Sequence, residues 1–544
     1  MEGLCRADYT VQIGAFKDQF NATKTVEALE RSGFAVMEPA ATPTAEGLIR
    51  ILTGRYATVA EAESARQKLA QKGFRGFVRA ISEPESSSKV ESQQSTATIQ
   101  LALARQPEPR RARLSSVNYL AVPDPLESPA ISEPTPQPTL PFSFNGYIQS
   151  EGAYTFSSPS HWSKFRNVLE LAVQKKLTNE INLKISGRFW YDGIYDLTSF
   201  FPDRVKRNEQ FEAMFRETYV DVGAGDWDFR VGRQHIIWGE VVSLFFADVV
   251  SAKDLRELII PDLDYLRIPQ WAARAEYFKN DFHAEAVVIP YMTYDQIGKP
   301  GSDFYPFLPP AVPGFATNIR NERMPHQGFS DAAAGLRLGY LLKGWDLTGF
   351  YYDSINSAPA FFRQTINAPT PTLSYTPDHR RIHQLGGTVS KDFQSFVLRG
   401  EAVYTWDSLF SVSRLSDADG VVRQDFLDYI IGLDFPLPAD SRLNFQFFQR
   451  RFPNHDPDIT PARVESGVSL FASTKMLDDK VEPDLLVMQS LNRLDWMVRP
   501  RVTWQFHPSW RLRVGTALFG GTGQNLFGRF ANRDRVFAEL RYAF

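Results

Sequence analysis

In residues 142–544 apolar and polar side chains alternate along segments of roughly ten residues, and this pattern constrains the fold more than any other feature. One segment alternates Ile181, Leu183, Ile185, Phe189 and Tyr191 with Asn182, Lys184, Ser186, Arg188 and Asp192. Because successive side chains of a strand point to opposite faces, each segment has one apolar and one polar face. No window approaches the ~20 apolar residues of a membrane helix, which excludes helical membrane spanning.

Short polar turns and long connections follow one another between these segments. The short turns lie at 178–179, 224–226, 279–281, 343–344, 392–393, 438–440, 478–479 and 507–509, and the long connections at 193–209, 237–268, 291–327, 355–378, 407–423 and 452–462. Barrels of the bacterial outer membrane have this asymmetry. We count 18 strands, with 16 as the alternative. The predicted fold class is therefore an all-β transmembrane barrel of antiparallel strands at 141–544, embedded in outer-membrane lipid.

Composition agrees with a barrel and excludes several other classes. Aromatic residues make up 13% of the chain, and a net charge of -3 gives no general case for nucleic-acid binding. Cys5 is the only cysteine, so an intrachain disulfide and a cysteine-built metal site are excluded. The eight His residues lack metal-ligand spacing, and no Gly-x-Ser-x-Gly elbow is present. We expect neither an enzyme nor a cofactor, although a His-Ser pair assembled in space is the alternative.

The last strand carries a distinctive aromatic pattern. Val536, Ala538, Leu540, Tyr542 and Phe544 share one face of the predicted strand. A strand of this form that ends in an aromatic residue resembles the signal read by the barrel-assembly machinery. The resemblance makes that machinery an expected partner, contacted through Phe544.

Residues 7–81 have a different pattern, in which two strand-helix units follow one another. Tyr9, Val11 and Ile13 alternate with polar residues, and an amphipathic helix follows from Asn21 to Gly33. Strands are predicted at 34–38 and 48–52, a second helix at 59–72, and a last strand at Phe77 and Val78. The predicted order is βαββαβ, a small α+β domain.

This domain resembles the SPOR family, whose members bind glycan strands of peptidoglycan. The resemblance rests on Tyr-Thr-Val-Gln-Ile-Gly-Ala-Phe at 9–16, the Asn21-Ala22 pair, Gly33, the stretch 50–56, and Ala65 with Leu69 and Gly73. It implies that the open face of the sheet binds the glycan, with Gln12, Arg50 and Tyr56 as candidate ligand-binding residues. The alternative is that Tyr56 packs against the sheet edge and Arg50 is a solvated charge.

Residues 82–140 are rich in Ser, Pro and Gln and have little apolar periodicity. Such a composition buries too little apolar surface to offset the conformational entropy of the chain. We predict a disordered periplasmic linker, which would place the SPOR-like domain in the periplasm beside the cell wall.

A second resemblance lies within the barrel. Gly232-Arg233-Gln234, Trp238-Gly239, Ala247-Asp248-Val249-Val250 and Lys253-Asp254-Leu255-Arg256-Glu257 resemble a motif of a large, uncharacterised family of proteobacterial outer-membrane barrels. The overall plan is also similar to that of porins. These resemblances support the barrel fold and leave the permeating solute open.

Arginines dominate the predicted lumenal face. By the alternation, the inward-facing, pore-lining residues include Arg188, Arg230, Arg399, Arg442, Arg499, Arg501, Arg511, Arg513, Arg535 and Arg541. Arg is always charged and matches the geometry of carboxylate and phosphate, so this arrangement favours anionic permeants. The alternative is that the arginines pair across strands with carboxylates such as Glu401 and Glu539 and stiffen the wall.

The connection 237–268 is apolar from Val241 to Phe246 and charged from Asp248 to Glu257. Because so apolar a loop is unfavourable in water, we predict that it folds against the wall or into the lumen as a constriction. The residues predicted to line this constriction are Asp248, Lys253, Asp254, Arg256 and Glu257. A short surface helix is the alternative.

Together these features predict an outer-membrane transport channel, possible permeants being anionic or amphipathic solutes, tethered to peptidoglycan by its N-terminal domain. About 18 strands enclose an aqueous channel, whereas ~8 strands leave room only for side chains. The alternative is a structural anchor between the membrane and the cell wall, in which the barrel is plugged.

Overall fold

The computed structural model describes residues 142–544 apart from 242–245, 308–311, 327, 368 and 523–525, and in the N-terminal part residues 8–16, 49–56 and 77–81 with ten single positions between them. The chain divides into two compact units, an N-terminal unit and a barrel. Within the described residues, no helix combines the length and apolar character needed to cross a membrane.

The N-terminal unit contains a three-stranded antiparallel sheet. Strand β1 (Asp8–Phe16) lies between β2 (Ile49–Tyr56) and β3 (Phe77–Ile81). Val36 forms a further bridge to Thr53 of β2, as expected for a strand near 34–38. The buried side chains are Val11, Leu29, Ile51, Ala62 and Leu69, which are the predicted apolar faces of the strands and of both helices. The predicted linker, 82–140, lies outside the described residues.

The other strands belong to the second unit. In chain order they are β4 (Ser143–Thr155), β5 (His161–Lys176), β6 (Ile181–Asp192), β7 (Phe211–Ala224), β8 (Trp227–Gln234), β9 (Ala252–Lys253), β10 (Arg267–Ile268), β11 (Gln270–Lys279), β12 (Phe282–Tyr291), β13 (Ala316–Ile319), β14 (Ala333–Leu342), β15 (Trp345–Ile355), β16 (Ala360–Ile366), β17 (Thr372–Asp378), β18 (Arg381–Asp392), β19 (Val397–Ser411), β20 (Val421–Leu437), β21 (Ser441–Arg451), β22 (Val464–Ser473), β23 (Val481–Ser490), β24 (Trp496–His507), β25 (Trp510–Gly520) and β26 (Arg535–Ala543). Short α-helices lie at Ile194–Leu197, Asp203–Glu209 and Leu263–Leu266, and single 3-10 turns at Phe329–Asp331 and Gly528–Phe530.

Eighteen of these strands form a closed antiparallel barrel, which confirms the predicted fold class and strand number. Each barrel strand pairs with its neighbours along the chain, and β26 pairs with β4 to close the ring. At this seam Glu539 faces Glu151 and Arg541 faces Gln149. Closure leaves the sheet without an unpaired edge, as an apolar membrane requires.

The outer face of the barrel is apolar and carries an aromatic ring at each end. Exposed aromatic side chains near the short-turn end are Phe144, Trp227, Phe282, Tyr340, Phe393, Trp504, Phe506, Trp510, Tyr542 and Phe544, and those near the long-loop end are Trp162, Phe165, Tyr191, Phe211, Trp271, Tyr291, Tyr351 and Trp496. Exposed aliphatic residues such as Val231, Leu336 and Ile431 lie between the rings. This is the outer surface of an outer-membrane barrel.

All eight predicted short turns join consecutive barrel strands at one end. At the other end, three of the long connections contain strands that the sequence pattern did not predict: β9 and β10 in 237–268, β13 in 291–327, and β16 and β17 in 355–378. Strand β17 pairs with β16 in an antiparallel hairpin and with β13 in parallel, which gives a three-stranded sheet on the long-loop side. The parallel pairing joins residues more than fifty positions apart, so local alternation could not predict it.

Candidate functional site

The connection between β8 and β11, residues 235–269, runs through the barrel interior and is called the lumenal loop below. Its Trp238 is fully buried against Phe350 and Tyr352 of β15, with ring centroids 5.1 and 5.7 Å away. Its Ile260 packs in a cluster with Phe537 of β26, on another side of the barrel. Contacts with well-separated strands mean that the loop crosses the lumen, and its role as a constriction stays a prediction. Of its apolar stretch, 242–245 lies outside the described residues, and Val241 is buried.

Glu401 of β19 anchors the first part of the lumenal loop. One carboxylate oxygen accepts the backbone N–H groups of Glu240 and Val241, the latter at 2.9 Å, and the other accepts that of Ala247 at 2.7 Å. A single buried side chain thus accepts three backbone hydrogen bonds of the loop. Sequence reasoning had assigned Glu401 only as a partner for wall arginines.

The loop also carries internal ion pairs. Asp248 is 1% exposed and lies 2.7 Å from Arg267 Nε, which fixes the middle of the loop to its end. The ammonium group of Lys253 donates to the carbonyls of Asp248 and Ser251, at 3.0 and 2.9 Å. Asp248 and Lys253, predicted to line the constriction, therefore stabilise the loop's own conformation.

The next three predicted residues connect the loop to the wall. Arg256 pairs with Asp254 on the loop at 2.6 Å and with Glu212 of β7 at 2.5 Å. Glu257 lies 2.5 Å from Lys164 and 2.5 Å from Arg166, both on β5. It also pairs with Arg535 of β26, so one loop carboxylate is bound by three cations of the wall.

Asp262 makes a second such contact, which sequence reasoning missed. Its two oxygens lie 2.6 Å from Arg501 Nη1 on β24 and 2.7 Å from Arg513 Nη1 on β25. Burial would raise the pKa of Asp262, but the guanidinium groups of Arg513 and Arg501 hold that pKa well below its usual range. Arg499 donates to the carbonyls of Ile259 and Ile260 in the same stretch.

The remaining pore-lining arginines differ in what neutralises them. Arg188 pairs with Glu170, Arg230 with Asp221 and Arg442 with Asp434, all of them carboxylates of the wall. Arg399 instead donates to the carbonyl of Glu240 in the loop at 3.0 Å. Arg511 faces Arg541 across β25 and β26 and makes no ion pair with the described part of the chain. The structure thus places all ten arginines on the inner face of the barrel, some paired within the wall and some holding the loop.

Space between the loop and the wall is small where these ion pairs lie. A cavity of about 20 Å³ is lined by Lys164, Arg166, Glu257, Asp262 and Arg535 among others. A neighbouring cavity of about 30 Å³ lies near Trp190 and Phe304. A cavity needs roughly 10–15 Å³ to hold one water molecule, so these spaces accommodate a few waters at most.

The motif that begins at Gly232 is explained by this arrangement. Gly232 has φ 132°, and a Cβ there would lie 2.3 Å from the carbonyl oxygen of Thr218, so only glycine fits. Gln234 is fully buried and donates to the carbonyl of Ala272 at 3.1 Å. At Gly239 a Cβ would lie 2.9 Å from the backbone nitrogen of Asp248. The motif therefore fixes the point where the chain leaves the wall and enters the lumen.

A second connection, between β6 and β7, contacts the region beside the lumenal loop. Its Glu209 accepts a hydrogen bond from the Tyr195 hydroxyl at 2.8 Å. Burial raises the pKa of Glu209 to about 7, with the neighbouring carboxylates of Glu257 and Asp254 acting in the same direction. This carboxyl group therefore titrates near neutral pH.

One cluster in the wall has the composition of a metal site. Ligand atoms of Glu276, His283 and Glu285 lie within 4.8 Å of one another. Arg274 lies 2.7 Å from Glu276 and 3.9 Å from Glu285, so a guanidinium group already supplies positive charge there. The cluster is best described as an ion-pair network of β11 and β12.

Of the candidate glycan-binding residues, only Tyr56 has a described side chain. Tyr56 is half-buried and packs against the N-terminal core, and burial raises its pKa. Packing at this position corresponds to the alternative that the sequence left open. Gln12 faces Leu52 and Arg50 faces Ala15 in the pairing of β1 with β2, and their side chains lie outside the described set.

Comparison with known families identifies both parts of the chain. The model of the family described as Protein of unknown function (DUF1302) matches residues 155–544. The chain belongs to the DUF1302 family. The SPOR domain model matches residues 6–80, which confirms the resemblance of the N-terminal region and supports peptidoglycan binding by it. No curated protein sequence matches the chain.

Solved structures similar to this DUF1302 barrel are outer-membrane proteins. OccAB1 of Acinetobacter baumannii has a TM-score of 0.47 at 9% identity and covers 74% of this chain and 96% of its own. OccAB4 of the same organism has a TM-score of 0.45 at 9% identity, with 75% and 100% covered. OccK2 (OpdF) of Pseudomonas aeruginosa, solved with glucuronate, has a TM-score of 0.42 at 8% identity, with 74% and 98% covered. These similarities concern the barrel fold alone. The chain thus consists of a SPOR domain followed by a closed 18-stranded barrel of the DUF1302 family.

Proposed function

We propose that the barrel is an outer-membrane channel, rather than an enzyme, that favours anionic or amphipathic solutes. The observation that carries the proposal is the charge of one part of the wall. Strands β23 to β26 direct six arginines inward, Arg499, Arg501, Arg511, Arg513, Arg535 and Arg541, against three carboxylates, Glu482, Asp484 and Glu539. An excess of guanidinium groups in a narrow lumen attracts anions and repels cations.

Apolar surface beside these charges supports the amphipathic part of the proposal. Phe304, Phe519, Phe530 and Phe537 form an apolar cluster inside the barrel with Ile260 of the lumenal loop. Arg535 lies against this cluster, with its guanidinium carbon 5.1 Å from the ring centroid of Phe304. An anion with an apolar body would find both kinds of contact there.

The plugged anchor is the second candidate, and a specific observation favours it. The lumenal loop is fixed to many strands, and the cavities beside it hold only a few waters. Under this alternative the arginines serve only to hold the loop. A protein with this function would carry no current.

Single-channel recording of the full chain in planar bilayers separates the two candidates. If the barrel is an anion-selective channel, the reversal potential of its current in a KCl gradient lies closer to the equilibrium potential of chloride than to that of potassium. Exchange of Arg499, Arg501, Arg511 and Arg513 for Ala should remove this selectivity. The control replaces both partners of two wall ion pairs, Arg230 with Asp221 and Arg442 with Asp434, by Ala, which keeps the net lumenal charge and should leave the selectivity unchanged. A silent wild-type barrel would instead establish the anchor.

For the N-terminal part, we propose a periplasmic position at 7–81 and a tether through the linker 82–140, with the barrel at 141–544. Gln12, Arg50 and Tyr56 are the candidate glycan contacts, and Tyr56 also packs against the N-terminal core. Co-sedimentation with purified peptidoglycan tests this assignment: Gln12→Ala and Arg50→Ala should weaken binding while the sheet stays folded. Binding equal to wild type in both variants would place the glycan elsewhere on the domain.

We propose in addition that β26 contacts the barrel-assembly machinery. Val536, Leu540, Tyr542 and Phe544 are exposed on its outer face, and the backbone of Phe544 bonds to Gly146 of β4 at 3.0 Å. Phe544→Ala should therefore slow assembly, measured as the fraction of heat-modifiable barrel in membranes. Unchanged assembly would refute this role.

A further inference from the structure

Two carboxylates of the lumenal loop are held by cations of the barrel wall. Glu257 is bound by Lys164 and Arg166 of β5 and by Arg535 of β26. Asp262 is bound by Arg501 of β24 and Arg513 of β25. In both cases each carboxylate oxygen has its own cationic partner.

The first basic site depends on the loop for its neutralisation. Apart from Glu257, Lys164 and Arg166 share one wall carboxylate, Glu151, at 3.1 and 2.7 Å. If Glu257 left the site, Lys164 and Arg166 would keep Glu151, with the carboxylate of Asp192 nearby, and Arg535 would have no ion-pair partner among the described residues. Desolvated cations without a counterion are strongly unfavourable, so another anion or water must take its place.

The second site is similar. Without Asp262, Arg501 keeps Asp484 at 3.0 Å and Arg513 keeps Glu539 at 3.2 Å. Arg511, however, has no carboxylate partner among the residues that the structure describes. Displacement of Asp262 would therefore leave an electropositive surface shaped for two carboxylate oxygens.

The cationic partners of both loop carboxylates favour the ionised form of the carboxyl group. Burial would raise the pKa of Glu257, but Lys164, Arg166 and Arg535 hold that pKa well below its usual range, and Arg513 and Arg501 do the same for Asp262. The sites are consequently suited to a carboxylate anion and not to a neutral acid.

The two sites adjoin one cavity, which Glu257, Asp262, Arg513 and Arg535 all line. Its volume of about 20 Å³ leaves no room for an organic anion beside the loop carboxylates. A solute that enters this region has to displace them.

We propose that these two basic sites are carboxylate-binding sites of the translocation path, and that Glu257 and Asp262 are internal competitors which a permeating organic carboxylate displaces. The inference rests on the proposed channel function and adds the substrate class and the means by which the path is kept closed. When no solute is bound, the carboxylates of the loop occupy the two sites, and these are the same chemical groups that the solute carries.

Competition makes a quantitative prediction. If the loop carboxylates occupy the sites at least nine-tenths of the time, the apparent dissociation constant of a competing carboxylate is raised about tenfold. Glu257→Gln with Asp262→Asn keeps the shape of both side chains and removes their charge. The apparent dissociation constant for succinate should therefore fall at least about tenfold in this double variant.

The experiment uses the full chain, with succinate as the probe. Half-inhibition of chloride current by succinate is measured in planar bilayers, and succinate binding to the folded, detergent-solubilised protein is measured by calorimetry. Asp434→Asn is the matched control, because Asp434 is also a buried, inward-facing carboxylate, but its ion pair is with Arg442 on the neighbouring wall strand. It should leave both values unchanged. Single variants replace the double variant if it fails to reach the folded, heat-modifiable form.

Each outcome decides a different point. A tenfold gain in succinate affinity in the double variant, absent from Asp434→Asn, supports internal competition. An anion-conducting channel whose succinate affinity is unaltered by the double substitution would overturn the inference and leave the proposed function standing. A barrel that conducts no anions in any variant, and binds no succinate, would overturn both.

Discussion

Replacing Glu401 by alanine removes the acceptor of three backbone N–H groups in the lumenal loop. The carboxylate is 3% exposed, and its partners are Glu240, Val241 and Ala247. Each buried N–H group left without an acceptor costs about 1–3 kcal/mol. Because water in the lumen replaces some of the lost hydrogen bonds, we take about 1 kcal/mol for each of the three N–H groups, which gives roughly 3 kcal/mol in total.

A cost of about 3 kcal/mol raises the population of the detached loop roughly 100-fold. Trypsin cleavage after Lys253 and Arg256, followed by mass spectrometry on the folded protein, measures this population when the loop opens and closes faster than it is cut. Glu401→Gln keeps one acceptor oxygen and should show a smaller increase than Glu401→Ala. Channel conductance should rise in the same order.

The matched control is Asp434→Ala. Asp434 is also a buried, inward-facing carboxylate, but it pairs with Arg442 on the neighbouring strand. Its loss should leave cleavage after Lys253 and Arg256 unchanged. A rate for Glu401→Ala within about threefold of wild type would refute the conclusion that this carboxylate anchors the loop, since that corresponds to less than ~1 kcal/mol.

Two further variants test other parts of the site. Gly232→Ala should cost about 1–3 kcal/mol of barrel stability, because the φ of 132° and the nearby carbonyl of Thr218 exclude a side chain there. Gly152→Ala is the control and should have a small effect, because an added Cβ at Gly152 meets nothing within 4 Å. Equal unfolding midpoints of the two variants in urea would contradict this. Glu209 binds its proton more tightly in the folded protein than in an unfolded chain, so its protonation favours the folded loop at low pH, and this contribution is lost as the pH rises from 4.5 to about 7. The thermal unfolding midpoint should therefore fall with pH across this range, and Glu209→Gln should reduce the slope of midpoint against pH. An equal slope in wild type and variant would refute the assignment.

The sequence predicted the features of the fold that depend on neighbours along a strand. Alternation over β24 and β25 was enough to direct Arg499, Arg501, Arg511 and Arg513 inward, because side-chain direction in a strand is fixed locally. It also gave the number of barrel strands, since each short turn joins two of them. Alternation within a strand could not predict the pairing of β13 with β17, because this pairing joins segments of two separate connections.

The partners of the lumenal charges were the least predictable part of the site. Asp262 meets Arg501 and Arg513 across 239 and 251 residues, and only closure of the barrel brings these residues together. Lys164 and Arg166 flank Phe165 in β5, so the alternation used elsewhere would have directed both inward. That Lys164 and Arg166 pair with Glu257 could not be predicted, because the path of the lumenal loop through the barrel is not evident from the sequence.

Whether the lumen attracts anions therefore depends on where the lumenal loop lies, and not on the wall alone. With the loop in place, Glu257 and Asp262 offset much of the arginine excess of β23 to β26, and the field that a solute meets is weak. With the loop displaced, the same arginines face water and the excess is restored. Charge selectivity and opening are then two results of one movement, so a variant that opens the loop by weakening the Glu401 anchor should also make the current more anion-selective.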